Sequence, residues 1–303
     1  MSNSGFYHTS VLLEESVDSL AIRPDGVYVD ATFGGGGHSK EILKRLNAKG
    51  RLIVFDHDED AWQNMPDDER VIQVRENFRY IKRFLKLHGY EEVDGILADL
   101  GVSSYQFDTA ERGFSIRFDG PLDMRMDKRL EMTAADILKT YSEEQLHKLF
   151  ERYGEVRNAK QLAKRIVEER EVAGLDSTDS FKAMIAPVVR GKENRYLAQV
   201  FQALRIEVND EMGALEDFLE QSAKCLKAGG RLSVITFHSI EDRIVKLFMK
   251  RGSWEEEEKD VFGRVVSEKL LKPLSNKSIE STEEELKNNS RARSARLRIA
   301  ERI

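Results

Sequence analysis

A chain of 303 residues with 40% hydrophobic side chains can bury one large core or two smaller ones, and its net charge of −6 argues against a passive nucleic-acid coat while allowing a local basic patch. No run of 18 apolar residues predicts a membrane span, and Met1-Ser2-Asn3-Ser4-Gly5 lacks the basic and apolar regions of a secretory signal. The lone Cys225 excludes an internal disulfide and fits a reducing, cytoplasmic compartment, and the six histidines show no ligand spacing with Cys or Glu, so no metal is expected.

The first hundred residues alternate strand and helix patterns. Strands are predicted at Val27–Ala31, Arg51–Phe55, Val71–Val74 and Val93–Leu100. Helices are predicted at Ser39–Leu46, from Asp58 to about Asn64, and from Phe78 to Leu87. A βαβαβαβ series implies a parallel sheet with right-handed crossovers. From about residue 107 to 205 the alternation stops. Tyr141–Arg152, Ala159–Val172, Ser180–Val189 and Leu197–Ile206 read as helices and no strand is convincing. The sheet pattern resumes with a helix at Glu211–Leu226, a Gly229-Gly230 cap, and a strand at Arg231–Phe237. Ser239-Ile240-Glu241-Asp242 resembles a capping box opening a helix. An acidic loop at Trp254–Asp260, a strand at Val261–Val266, a mobile polar stretch at 275–289, and an edge strand at Arg296–Ala300 complete the reading. The fold class is therefore α/β, a Rossmann-like sheet domain (1–106 with 206–303) carrying an inserted all-helical domain (107–205).

The segment Asp30-Ala31-Thr32-Phe33-Gly34-Gly35-Gly36-Gly37-His38-Ser39 joins the first strand to its helix. Glycines here allow positive φ and close approach of a ligand, and open α/β sheets hold nucleotide-like ligands at such turns. The dinucleotide fingerprint G-x-G-x-x-G fails, because its third glycine falls on Ser39 or Lys40. The looser pattern Asp30-x-Thr32-x-Gly34-x-Gly36 suits enzymes that use S-adenosylmethionine. Asp56 ends the next strand, about twenty residues beyond the turn, where a carboxylate binds ribose hydroxyls. A nicotinamide-dependent oxidoreductase is the first rival reading, and a non-catalytic ribosome-assembly factor that senses a ligand is the second.

The fourth strand ends Ala98-Asp99-Leu100-Gly101, followed by Val102-Ser103-Ser104-Tyr105-Gln106. Amino-methyltransferases carry Asp or Asn, two prolines and an aromatic at this place, so the match is by position. Asp99 either receives a reacting amine or caps its turn. Cys225, set in a helix, suits a buried structural role, which disfavours methylation of pyrimidine carbon 5, a reaction that needs a thiolate. An exocyclic nitrogen or an oxygen is the expected acceptor. The stretch Glu111–Ser115 with Asp119–Asp127 is too polar for a core yet carries Phe114, Met124 and Met126, as a lid or a surface connection would. His238 either meets substrate or caps a helix. Arg291, Arg293 and Arg296 either meet phosphates or guard an edge strand.

Together these blocks, from His8-Thr9-Ser10-Val11-Leu12-Leu13 through Phe201-Gln202-Ala203-Leu204-Arg205-Ile206 to Arg291–Arg302, resemble the bacterial methyltransferases that modify N4 of a cytosine in 16S ribosomal RNA. The resemblance implies a class I methyltransferase sheet domain, S-adenosyl-L-methionine as donor, and a target near the decoding centre of the small ribosomal subunit. It implies that Gly36, Gly37 and His38 line the donor, Asp56 holds its ribose, Phe78 lies by its adenine, and Asp99 and Gln106 complete the pocket. Asp99 as the catalytic group rests on its own position. The chain departs from the family pattern at Tyr105, usually proline, and at Phe107, commonly leucine. The inserted helices are expected to recognise substrate. The oligomeric state stays open, a homodimer included.

Overall fold

The computed structural model describes residues 10–172, 174–254 and 269–303. His8, Thr9, the acidic stretch beyond Trp254 and the strand expected at Val261–Val266 lie outside them. The chain divides into two compact units, Met1–Gly101 with Gly213–Ile303, and Val102–Met212.

The first unit begins with α1 (Leu13–Ser19), a helix too short to show in the sequence pattern. Then follow β1 (Val27–Asp30), α2 (Gly37–Arg45), β2 (Arg51–Phe55), β3 (Val71–Val74), α3 (Ile81–Leu87) and β4 (Val93–Asp99). The helix expected from Asp58 to about Asn64, and the start of the one expected from Phe78 to Leu87, are 3-10 turns, capped by the side chains of Asp58 and Asn77. β4 is buried along almost its whole length, as a central parallel strand must be.

The second unit contains α4 (Ser104–Asp108), α5 (Ala134–Thr140), α6 (Glu143–Gly154), α7 (Ala159–Glu169), α8 (Thr178–Ile185) and α9 (Glu193–Asn209), with no strand among the described residues. Leu146, Leu149 and Phe150 of α6, Leu162 and Ile166 of α7, and Val200, Phe201 and Leu204 of α9 fill one core. The stretch expected to be too polar for a core enters it: Phe114, Leu122, Met124 and Met126 are all buried there. The backbone of this stretch is satisfied by side chains. Arg112 Nη2 donates to the carbonyls of Arg125 and Met126 at 3.0 Å each. The Asn209 amide brackets Met126 N and Met124 O at 2.7 and 2.8 Å. Asn209 lies more than 80 residues off in sequence, so a local count of polar residues misread the segment.

The chain returns through α10 (Glu211–Cys225), β5 (Leu226–Thr236), α11 (Ser239–Arg251), β6 (Leu271–Pro273), β7 (Ile279–Glu280), α12 (Glu283–Asn288) and β8 (Arg296–Arg302). Gly229, at φ 76°, lies in an irregular first part of β5, and regular pairing with β4 begins at Arg231 opposite Gly95. The sheet order is β3-β2-β1-β4-β5-β8-β6, with β7 also on β8. β1 to β5 run parallel, and β8 is antiparallel to its neighbours. Two expectations are corrected. β8 is an interior strand, paired on both sides, so its arginines are not edge guards. Residues 275–289 hold β7 and α12, and Glu285 accepts a hydrogen bond from Leu12 N at 2.8 Å.

Alternate residues of the strands face opposite layers. Val29, Ile53, Phe55, Ile96 and Ala98 pack with α3, α10 and α11. Tyr28, Leu52, Val54 and Leu97 pack with α1 and α2. This is a doubly wound, Rossmann-like sheet. Its order reverses between β1 and β4, which places the ligand crevice beyond Asp30 and Asp99.

Candidate active site

Asp30 and Asp99 end the two adjacent strands at that reversal. Asp30 is wholly buried and fastens the glycine turn: its Oδ1 accepts from Thr32 N at 3.1 Å and its Oδ2 from Ser39 Oγ at 2.6 Å. Thr32 Oγ1 accepts from Asp99 N at 2.6 Å, tying the two strand tips together. Burial pushes the Asp30 carboxyl up to about 6, against the lowering effect of the Ser39 and Thr32 hydrogen bonds.

The turn itself needs glycine at defined places. Gly34 and Gly36 have φ of 49° and 74°. A Cβ on Gly37 would collide with Ser10 Oγ, whereas one on Gly35 would meet nothing within 4 Å. Gly34 N donates to Asp56 Oδ2 at 2.8 Å, and Asp58 N donates to Asp56 Oδ1 at 2.9 Å. Asp56 therefore shapes the turn while keeping lone pairs for ligand hydroxyls, since a carboxylate offers about four. Burial raises its pKa, opposed by His57 and the two backbone donors.

Phe78 follows β3 at the same edge. It sits edge-on against Phe218 with centroids 5.0 Å apart, held by Asn77, whose Oδ1 accepts from Arg79 N and whose amide lies 3.0 Å from His57 Nδ1. Asp99 is the most informative residue. Its side chain is 25% exposed, yet its Oδ1 is buried with no hydrogen-bond partner among the described residues. Burial pushes its pKa up to about 6; His38 lowers it, and the charges of Asp30 and Glu241 raise it. His38 is 4% exposed, with Nε2 3.1 Å from the Val11 carbonyl oxygen and Nδ1 3.8 Å from Asp99 Oδ2.

At the end of β5, His238 is the N-cap of α11. The capping box pairs His238 with Glu241, one residue earlier than the Ser239 opening expected. Glu241 N donates to His238 Nδ1 at 3.4 Å, and Glu241 Oε2 accepts from Phe237 N at 2.9 Å and His238 N at 3.3 Å. Gln106 lies in the other unit, in the reciprocal cap of α4. Its Oε1 accepts from Ser103 N at 2.9 Å and its N donates to Ser103 Oγ at 3.2 Å. That cap defines the turn around Tyr105, whose side chain is exposed. Arg296 points to Asp242 at 3.5 Å and Glu280 at 3.9 Å, Arg291 is half-buried, and Arg293 is exposed.

The sheet unit thus gathers Gly36, Gly37, His38, Asp56 and Asp99 along its carboxyl edge. Sequence reasoning named Thr32, Ser39 and Glu241 only within patterns and gave them no part in the site. The capping-box spacing was the one available signal for Glu241. The group is a glycine turn lined by carboxyls, suited to a cationic nucleoside with free hydroxyls.

A family model described as the MraW methylase family matches residues 5–303. Similar curated proteins are named Ribosomal RNA small subunit methyltransferase H. One from Flavobacterium psychrophilum is 55% identical over 294 residues, 96% of this chain and 100% of its own length. One from Cytophaga hutchinsonii is 54% identical over 300 residues, 98% of this chain and 99% of its own. One from Phocaeicola vulgatus is 55% identical over 298 residues, 98% of this chain and 97% of its own. With a match along nearly its whole length, the chain belongs to the MraW methylase family.

Proposed function

We propose that this chain transfers a methyl group from S-adenosyl-L-methionine to the exocyclic N4 of a cytosine in 16S ribosomal RNA, near the decoding centre of the small subunit, in the cytoplasm. The observation that carries this reading is the buried, unpartnered Asp99 Oδ1 at the point where the strand order reverses. A buried acceptor without a donor is costly unless a ligand supplies one. An amine N–H is such a donor, and a sulfonium beside it is balanced by the surrounding carboxyls.

The residues fit the donor. Gly36 and Gly37 offer backbone at the start of α2, Asp56 has lone pairs for ribose hydroxyls, and Phe78 offers a ring face for adenine. The donor supplies an electrophilic methyl group, and the protein supplies alignment. Cys225 is buried and its thiol is pushed up to about 11 by burial, which argues against thiolate addition to a pyrimidine ring. The helical unit is assigned to recognition of the RNA, with Arg291, Arg293 and His238 as further contacts. No helix of the described residues is long and apolar enough to cross a membrane.

Purified small subunits incubated with the enzyme and radiolabelled donor should gain label on N4 of one 16S cytosine. Label on carbon 5, on a ribose oxygen, or nowhere overturns the proposal. Calorimetry should show binding of the donor and none of NADH.

A further inference from the structure

We propose that His38 is a positioning residue for methyl transfer: its ring holds the outer oxygen of Asp99 in place and accepts, through that carboxyl group, the proton released by the methylated amine. This rests on the methyltransferase reading above. The Val11 carbonyl oxygen only accepts, so His38 Nε2, 3.1 Å away, carries a hydrogen. In the neutral ring Nδ1 then bears a lone pair, and it faces Asp99 Oδ2 at 3.8 Å. Two acceptors set face to face repel, and one proton shared between Oδ2 and Nδ1 converts the repulsion into attraction.

The other surroundings of Asp99 leave few places for that proton. Its backbone N–H is given to Thr32 on the β1 turn. Asp30 at the end of β1 and Glu241 on α11 face it with negative charge, and His38 on α2 is the basic side chain among them. Oδ1 is buried without a partner, so it takes the amine while Oδ2 is held by the ring.

The reaction balances on these atoms. The amine nitrogen bonds to the methyl carbon as the carbon–sulfur bond breaks, leaving its electron pair on sulfur. The nitrogen then sheds a proton to Asp99 Oδ1 as Oδ2 hands the proton it shares with the ring over to His38 Nδ1. The ring is buried, with one nitrogen on Val11 and the other toward Asp99, so it is the backbone of His38, not its ring, that lines the donor.

His38→Gln places an amide where Nε2 was and keeps the anchor on Val11. His38→Asn places an amide where Nδ1 was, a donor to Asp99 that takes up no proton. The Gln variant should lower kcat about 10- to 100-fold with donor affinity unchanged in calorimetry. The Asn variant should recover part of that loss and displace the acid limb of the pH–rate profile. Wild-type kcat and pH profile in both variants, or a loss confined to donor affinity, overturns the proposal. Should the variants fail to fold, nitrogen-15 spectra of wild type and Asp99→Asn decide. The His38 Nδ1 resonance should move between the two, and an unmoved resonance overturns the coupling. Methyl transfer by wild type to small subunits is the control: its absence sinks the functional reading, while the spectra judge the His38–Asp99 pair on its own.

Discussion

Asp99 carries a cost that its function explains. In an unfolded chain its carboxyl would titrate near 3.9, whereas burial here pushes it up to about 6. Between those values the folded chain binds more protons, so stability falls as pH rises from about 4 to about 6 and stays lowered above. Asp99→Asn should therefore raise Tm at pH 8, and the gain should vanish by pH 4; differential scanning calorimetry at both values checks this. The same variant should reduce methyl transfer by about 100-fold or more, as loss of a proton-accepting group does. A second test separates ligand space from protein space. Gly35 has nothing within 4 Å of an added Cβ and no positive φ, so Gly35→Ala should leave Tm unchanged. A donor lying on the turn would meet that methyl, so affinity should drop about tenfold, or 1.4 kcal/mol. Asp30, Asp56 and Asp99 were legible in the sequence because each ends an apolar run. The roles of Thr32 and His38 were not, because their partners, Asp99 and Val11, are brought to them only by sheet pairing and helix docking.

At the scale of elements, β8 shows why a charged alternating segment was misread. Arg298 is buried and grips Asp242 of α11 with two bonds, Nε to Oδ1 at 2.7 Å and Nη2 to Oδ2 at 2.9 Å. Arginine in the pattern suggested solvent, but a paired guanidinium packs inside. Arg298 holds the Asp242 carboxyl below the usual range against the opposing effect of burial. Arg298→Ala should destabilise the fold by about 3 kcal/mol, read by urea unfolding, because it leaves the buried Asp242 carboxylate only its longer contact with Arg296. Arg293→Ala, at an exposed position, should leave stability alone and reduce the salt slope of RNA binding by about 0.7. The long strands and helices were legible from periodicity. The helices α1, α4, α5 and α12 run seven residues or fewer, too short for a 3.6-residue period to declare itself. For α4, α5 and α12 the caps at Ser103, Thr133 and Thr282 were the signals present, and α1 has no side-chain cap.

At the scale of the molecule, each unit has its own core, so ligand binding should be felt unevenly. Saturating donor should slow hydrogen exchange of the β1, β4 and α2 amides and leave those in the α6–α9 core unchanged, measured by mass spectrometry. Uniform slowing would show the two cores opening together. The change from alternating to helical pattern gave an expected insertion of 107–205, and the compact helical unit spans Val102–Met212. The pairing of β4 with β5 has a consequence for how this chain comes off the ribosome. Gly95 must wait for Arg231, with the whole helical unit translated between them. Loop length alone adds little to that delay in free energy, about 0.6 kcal/mol per doubling. Time is the larger matter: until β5 emerges, the apolar flank of β4 is an open template for a stranger's strand. A helical insertion that folds by itself during the wait removes its own apolar surface from the hazard, and leaves the nascent chain one vulnerable seam to shield.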